Sequence, residues 1–201
     1  AFARAGLVTV LPHRLYRGDA RYVPQPNFLQ RQLLRSSSNP FLRHSERALF
    51  LAVDDAGEVL GRIAAIHNRD HLARHRDATG FFGLFDAIDD QATARALLSA
   101  AGSWLSGRGL RRMVGPENLT TNDSLGILTG GFAEPPVILM PYNFPYYSRL
   151  LEACGLRRLL DLASYRLSHA TLPPETYRKA RSLEARLGAR GVVIRPLHFD
   201  R

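Results

Sequence analysis

The sequence contains a single cysteine, Cys154, so no disulfide bond can form within its 201 residues. It has no apolar run close to the ~20 residues that a membrane-spanning helix needs. Arginines interrupt the apolar residues of its N-terminal stretch, a pattern unlike that of a secretory signal peptide. These absences predict a cytoplasmic protein with no membrane partner.

Lysine is also nearly absent: Lys179 is the only one, and arginine supplies the rest of the basic charge behind a net charge of +9. The excess lies at the ends, because residues 1–50 and residues 156–201 each carry about +6 and residues 51–155 about −3. The arginines are not interleaved with the aromatic residues of a single-strand binding platform. A solvated basic surface is therefore the favoured interpretation, and a nucleic-acid partner is not expected.

The chain is apolar enough to form a core, since 45% of its residues are hydrophobic and 22% are charged, as in globular proteins. Turn residues and apolar periodicity divide it into elements. Helices are predicted over 2–17, 27–34, about 90–106, 143–154 and 175–187. Strands are predicted over 48–53, 59–66, 80–86, 112–115, 163–167 and 191–196, with a polar loop over 67–78 and a long loop over 115–141.

The segment 79–105 is the most informative, because an apolar strand leads through an acidic turn into a helix rich in alanine and leucine. Such a turn directs main-chain N–H groups and a helix N-terminus at one spot, which suits an anionic ligand. Asp89 or Asp90 is a good N-cap for the helix. The turn is therefore a candidate anion site, and the alternative is that an aspartate simply caps the helix.

The order hairpin, strand, turn, helix, strand, helix, strand over about residues 45–170 resembles the GNAT acyltransferase superfamily. Five short sequence segments resemble, more specifically, its YghO-type, N-acetyltransferase-like branch. These segments are Gly61-Arg62-Ile63-Ala64-Ala65, Gly80-Phe81-Phe82-Gly83, Gly115-Pro116-Glu117-Asn118, Gly130-Gly131-Phe132, and Met140-Pro141-Tyr142-Asn143 followed by Tyr146-Tyr147. The resemblance implies an α/β (α+β) fold in which helices flank a mixed, splayed central sheet.

The resemblance also implies an acyl-coenzyme A cosubstrate, taken here as acetyl-CoA. Its pantetheine arm would enter where the sheet splays between two strands and pair with the main chain of Leu84 and Phe85 like an extra strand, and its pyrophosphate would lie on the turn before the helix. In the superfamily this turn reads Gln/Arg-x-x-Gly-x-Gly/Ala, whereas the aligned turn here starts at Asp89, which brings a negative charge close to the diphosphate. The residues implied in cofactor binding are Leu84, Phe85, Ala92, Thr93, Ala94, Arg95 and Asn143.

Acylation of an amine needs a base to remove a proton. Glu117 follows the short strand near the expected cleft, and Asp123 is the second choice. The position of the superfamily's catalytic tyrosine is Leu151 here, so Tyr146, about one turn earlier, is the candidate proton donor to the leaving thiolate. Each of these side chains has an alternative as an ordinary loop or core residue. The candidate substrate-binding residues are Asn118, Asn122 and Tyr142.

Three histidines, His67, His71 and His75, are spaced by four residues, as metal ligands on one helix face can be. Polar residues interrupt any apolar helix there, and neighbouring arginines add positive charge beside the would-be cation. A polar loop is the better interpretation, and no metal site is predicted.

Two parts are predicted: a GNAT-like domain with a helical N-terminal extension over 1–170, and a linker with the start of a second, truncated unit over 171–201. The leading functional hypothesis is an acyl-CoA-dependent N-acetyltransferase-like enzyme acting on a small-molecule or peptide amine. One alternative is a degenerate GNAT domain that binds no cofactor and serves as a structural or interaction module. The other is a nucleic-acid-binding module.

Overall fold

The computed structural model describes residues 2–168 and 170–195. The chain divides into two compact units, Ala1–Arg157 and Arg158–Arg201. The second unit contains α6 (Pro174–Gly188). The first unit contains α1 (Phe2–Leu15), α2 (Asn27–Leu33), a 3₁₀ helix (Pro40–Arg43), β1 (Ser45–Val53), β2 (Val59–Asn68), α3 (Arg69–His75), β3 (Thr79–Ala87), α4 (Gln91–Ser106), β4 (Arg112–Val114) and α5 (Tyr147–Ala153).

The four strands form one sheet in the order β1-β2-β3-β4. The first two pairings are antiparallel, and β4 runs parallel to β3 over three residue pairs, from Thr79 opposite Arg112 to Phe81 opposite Val114. The predicted hairpin is confirmed, with Gly57 at a φ of 83° in its turn, a conformation that favours glycine. The α+β class and the mixed sheet flanked by helices are confirmed as well.

Both faces of the sheet are covered, because consecutive residues of the buried strand β2 enter two different cores. Ile63 and Ala65 pack on one face with α4 and α5, whereas Ala64 and Ile66 pack on the other face with the N-terminal helices. This alternation is the period-2 pattern of a strand. The run of apolar residues in β2 and β3 is therefore explained by burial on both faces.

Three segments differ from the sequence-based expectation. The predicted polar loop over 67–78 contains α3, which begins because the Asn68 side chain accepts a hydrogen bond from the His71 N–H group. The predicted strand over 163–167 is wrong, since those residues form no strand in the part of the chain that the structure describes. The predicted strand over 191–196 is not formed in residues 191–195, and residue 196 lies outside the described residues.

No helix in residues 2–168 or 170–195 combines the length and apolar character needed to cross a bilayer.

Two glycines of the first unit give opposite predictions for substitution by alanine. Gly102 lies on α4, and a Cβ atom there would have nothing within 4 Å, so Gly102→Ala should raise the free energy of unfolding by about 0.5–1 kcal/mol. At Gly83 a Cβ atom would lie 1.9 Å from the main-chain oxygen of Glu117, so Gly83→Ala should lower the free energy of unfolding. Urea unfolding followed by circular dichroism measures both. Equal stability of Gly83→Ala and the wild type would contradict the close approach of residue 117 to β3.

Candidate functional site

A β-bulge in β3 is the first irregular feature of the site. Gly83 lies opposite Ala64 and Asp86 lies opposite Arg62, so two residues of β3, Leu84 and Phe85, face one residue of β2. Leu84 has a φ of 49°, which is unfavourable for a residue other than glycine. The bulge falls on the two residues that the resemblance assigns to the pantetheine arm.

The chain that leaves β4 continues alongside this bulge. The Glu117 N–H group donates to the Phe82 carbonyl oxygen at 2.7 Å, and the Leu84 N–H group donates to Asn118 Oδ1 at 2.8 Å. The contact requires glycine at position 83, where any side chain would overlap the Glu117 main chain. The structure thus brings Leu84, Glu117 and Asn118 together, and the Leu84 N–H group already has a partner.

Glu117 is the most unusual acid of this region. It is only 6% exposed, and its carboxylate has no hydrogen-bond or ion-pair partner among the described residues. Burial is the main cause that raises its pKa from 4.5 to about 7. His71 lowers this pKa and Asp123 raises it, both by less than burial does. A carboxyl group with a pKa near 7 suits a general base at neutral pH.

His71 is close enough to Glu117 to lower the pKa of its carboxyl group, and it forms a polar pair with Asp77. His71 Nε2 lies 3.1 Å from Asp77 Oδ1, and its ring stacks on His75 with 4.4 Å between the ring centroids. The ring edge also contacts Phe81 of β3. Both histidines belong to the series spaced by four residues, but no local sequence pattern indicates that His71 lies near an acid 46 residues later. The described residues contain no group of side chains able to hold a metal ion.

The N-terminus of α4 is occupied by its own capping residue. Asp90 Oδ2 accepts hydrogen bonds from the Thr93 N–H group at 2.7 Å and from Thr93 Oγ1 at 2.6 Å, and these bonds lower the pKa of the carboxyl group. Asp89 pairs with Arg149 on the surface. Of the predicted pyrophosphate-binding residues, Thr93 and Ala94 are buried, whereas Ala92 and Arg95 are exposed. A diphosphate at this turn would therefore compete with the Asp90 carboxylate.

Two tyrosine hydroxyl groups cover the end of β3. Tyr146 donates to the Ala87 carbonyl oxygen at 2.8 Å, and the Ala87 N–H group donates to the Tyr147 hydroxyl at 3.2 Å. Burial, followed by the charges of nearby aspartates, raises the pKa of Tyr146. Leu151 packs in the core on the same helix, 6% exposed.

The remaining predicted site residues hold loops in place. Asn143 is 4% exposed and bonds through both amide atoms to the main chain of Leu128, at 2.7 and 3.1 Å. Asn122 donates its N–H group to Thr120 Oγ1 at 3.1 Å on an exposed turn. Tyr142 donates to Asp19. Among the described residues, no hydrogen bond therefore joins Asn143, Asn122 or Tyr142 to Glu117.

A buried charged pair, missed in the sequence, connects the sheet to the N-terminal helices. Arg62 Nη2 lies 2.6 Å from Asp86 Oδ2, and both residues are at most 7% exposed. The Asp86 carboxylate also accepts from the Tyr16 hydroxyl at 2.9 Å, and Arg62 donates to Gln30 Oε1 at 3.2 Å. The pair thus links β3, the strand on which the bulge lies, to β2 and to the N-terminal region of the chain.

Together, the fold and the site define an α+β domain with a bulged central strand, beside which lies a buried acid whose carboxylate has no partner among the described residues. The chain is 35% identical over 161 residues to protein YghO of Escherichia coli, a match that covers 80% of this chain and 41% of YghO. It is also 35% identical over 195 residues to bacterial ceramide synthase of Caulobacter vibrioides, covering 95% of this chain and 49% of that protein. The chain thus spans about half the length of these curated relatives. No family model and no solved structure matches it, so the GNAT resemblance stays a prediction.

Proposed function

We propose that this chain is part of an N-acyltransferase in which Glu117 is the general base. The amine of the acceptor attacks the carbonyl carbon of an acyl thioester, a C–N bond forms and the C–S bond breaks. Glu117 takes the proton that the amine nitrogen loses, and the thiolate leaves with the coenzyme. The observation that carries the proposal is the state of Glu117: the residue is 6% exposed, its carboxylate has no hydrogen-bond partner among the described residues, and burial raises its pKa to about 7.

The similarity to a bacterial ceramide synthase supports the reaction class. A ceramide is an amide of a fatty acid and a long-chain amino alcohol, so its synthesis joins an acyl group to an amine. The similarity covers 95% of this chain, including Glu117 and the bulge. The donor we propose is an acyl-coenzyme A, with acetyl-CoA as the short-chain case and a long-chain acyl-CoA as the lipid case.

The second candidate is a degenerate domain that binds no coenzyme and serves as an interaction module beside a catalytic partner domain. Asp90 favours it, because its carboxylate already occupies the N–H group that a diphosphate would need. The Leu84 N–H group favours it too, since Asn118 already accepts its hydrogen bond. Under this proposal Glu117 would be a buried acid without a catalytic role.

Calorimetric titration of the protein with acetyl-CoA and with palmitoyl-CoA separates the two proposals. Saturable binding in the micromolar range supports the transferase, whereas no binding of either compound up to millimolar concentration supports the module. The variant Asp90→Ser keeps a capping hydroxyl and removes the charge. If the diphosphate binds at the α4 turn, we expect this variant to bind acetyl-CoA severalfold more tightly.

The matched control for that experiment is Asp55→Ser, which removes the same charge from the exposed turn of the hairpin. An equal gain in affinity in both variants would indicate a general effect of net charge. If the protein binds acetyl-CoA tightly and neither variant changes the affinity, the transferase proposal is supported and the diphosphate binds at a place other than the α4 turn.

A further inference from the structure

The N-terminal helices carry a surface that combines exposed apolar side chains with arginines. The last turn of α1 contacts the start of α2, since His13 Nε2 is 2.8 Å from Asn27 Oδ1. Their inner faces pack on the sheet through Val8 and Leu34. The outer face, called here the α1–α2 face, exposes Leu7 and Val10 on α1, each 45% exposed, and Phe28 and Leu29 on α2, 66% and 47% exposed.

A shallow hollow of about 340 Å³ lies on the α2 part of this face. Arg31 and Arg35 line it together with Phe28, and neither arginine forms an ion pair within the described part of the chain. Residues 1–50 as a whole carry eight arginines against only Asp19 and Glu46. Among the described residues, the hollow therefore presents two guanidinium groups without an acidic partner beside an exposed aromatic ring.

Charge decides which partner fits the α1–α2 face. A second copy of this chain would bring the same excess of positive charge to the interface, which opposes self-association through this face. Aliphatic side chains such as Leu7, Val10 and Leu29 gain nothing from a nucleic-acid backbone. The boundary of an anionic bilayer satisfies both components, because it offers phosphates to arginine and an apolar layer to the exposed side chains.

We propose that the α1–α2 face docks on the surface of an anionic phospholipid bilayer. Phe28 and Leu29 enter the boundary between headgroups and acyl chains, and Arg31 and Arg35 bind lipid phosphates. Docking of this kind needs no membrane-spanning helix, so it departs from the expectation of no membrane partner, which considered only spanning segments. The proposal does not depend on the acyltransferase proposal, since it concerns a different surface.

Co-sedimentation with vesicles tests the proposal, using equimolar phosphatidylglycerol and phosphatidylcholine against phosphatidylcholine alone. We expect the full chain to bind the anionic vesicles, and the double variant R31E/R35E to bind them at least about tenfold more weakly. Phe28→Ser should also weaken binding, and because Phe28 is largely exposed the variant should fold normally, as circular dichroism would verify.

The matched control is R181E/R186E, which makes the same change of charge on exposed positions of α6. Binding that falls equally in both double variants would overturn the proposal, because it would show only general attraction between charges. Absence of binding to anionic vesicles, or binding that Phe28→Ser and R31E/R35E leave unchanged, would overturn it as well. So would a change of oligomeric state in Phe28→Ser without a change in vesicle binding, since a second copy would then be the occupant.

Discussion

Replacing Glu117 by glutamine should lower the rate of acyl transfer by about 10²–10⁴-fold, the usual contribution of a general base. Glutamine keeps the size of the side chain but accepts no proton from the amine. In the wild-type protein the rate should rise with pH and reach a plateau above about 7, because only the ionised Glu117 acts as a base. The measurement is the initial rate of release of the coenzyme A thiol at several pH values, with an acyl-CoA and an amine as substrates.

The matched control is Asp123→Asn, which converts the neighbouring acid to its amide. Asp123 accepts a hydrogen bond from Thr120 Oγ1 at 2.8 Å and was the second choice for the base. If Asp123→Asn lowers the rate of acyl transfer much more than Glu117→Gln does, Asp123 is the general base. Equal activity of Glu117→Gln and the wild type would disprove the role of Glu117 directly.

The same substitution should have a separate effect on stability, with a sign fixed by the pKa. Burial raises the pKa of Glu117 from 4.5 to about 7, so between these values the folded protein binds more protons than the unfolded chain. Its contribution to the free energy of unfolding therefore falls as pH rises through this window. We expect the stability of Glu117→Gln relative to the wild type to increase from pH 4.5 to pH 7 and then to stay constant. Urea unfolding at each pH would show it.

Removing the buried carboxylate of Asp86 should cost about 3–5 kcal/mol of the free energy of unfolding, because Arg62 would be left buried without its counter-charge. The Tyr16 and Tyr147 hydroxyl groups would also lose the carboxylate to which both donate. Asp86→Ala is thus the most destabilising single substitution that we predict, and urea unfolding at pH 7 measures it. If it leaves the protein unfolded, the milder Asp86→Asn provides the measurable value.

An exposed ion pair serves as the control for Asp86. Asp89 and Arg149 are 50% and 60% exposed in their side chains, so Asp89→Ala should cost no more than about 1 kcal/mol. Replacing both buried partners by apolar residues, R62M/D86L, should recover much of the loss, because no unpaired charge then remains in the core. A cost for Asp86→Ala as small as that for Asp89→Ala would contradict the buried pair.

Much of the first unit could be predicted from local patterns. The hairpin of β1 and β2, the strand β3 and the helix α4 follow from alternating or helical apolar periods bounded by turn residues. The strand predicted over 163–167, by contrast, is wrong. Residues 163–167 have a strand-like composition, but a strand also needs a partner for its main-chain groups, and composition does not provide one.

The candidate site was only partly accessible from sequence. Glu117 was proposed as the base by resemblance, and Asp90 was recognised as an alternative cap for α4. The pairing of Arg62 with Asp86 was not found, because these residues are 24 positions apart and each is unremarkable in its own strand. The proximity of His71 to Glu117 was not predicted, because its helix was interpreted as a loop and Glu117 lies 46 positions further along the chain.

By itself, the sequence determined the positions of most helices and strands, because apolar period and capping side chains are properties of neighbouring residues. It also determined that Asp90 has the chemistry to cap α4, since the cap bonds within three residues. Only the tertiary structure decided that Glu117 is buried, that its carboxylate has no partner within residues 2–168 and 170–195, and that its pKa rises to about 7. A pKa shift of this kind arises from desolvation, and desolvation depends on how strands and loops that are distant in sequence enclose the carboxyl group.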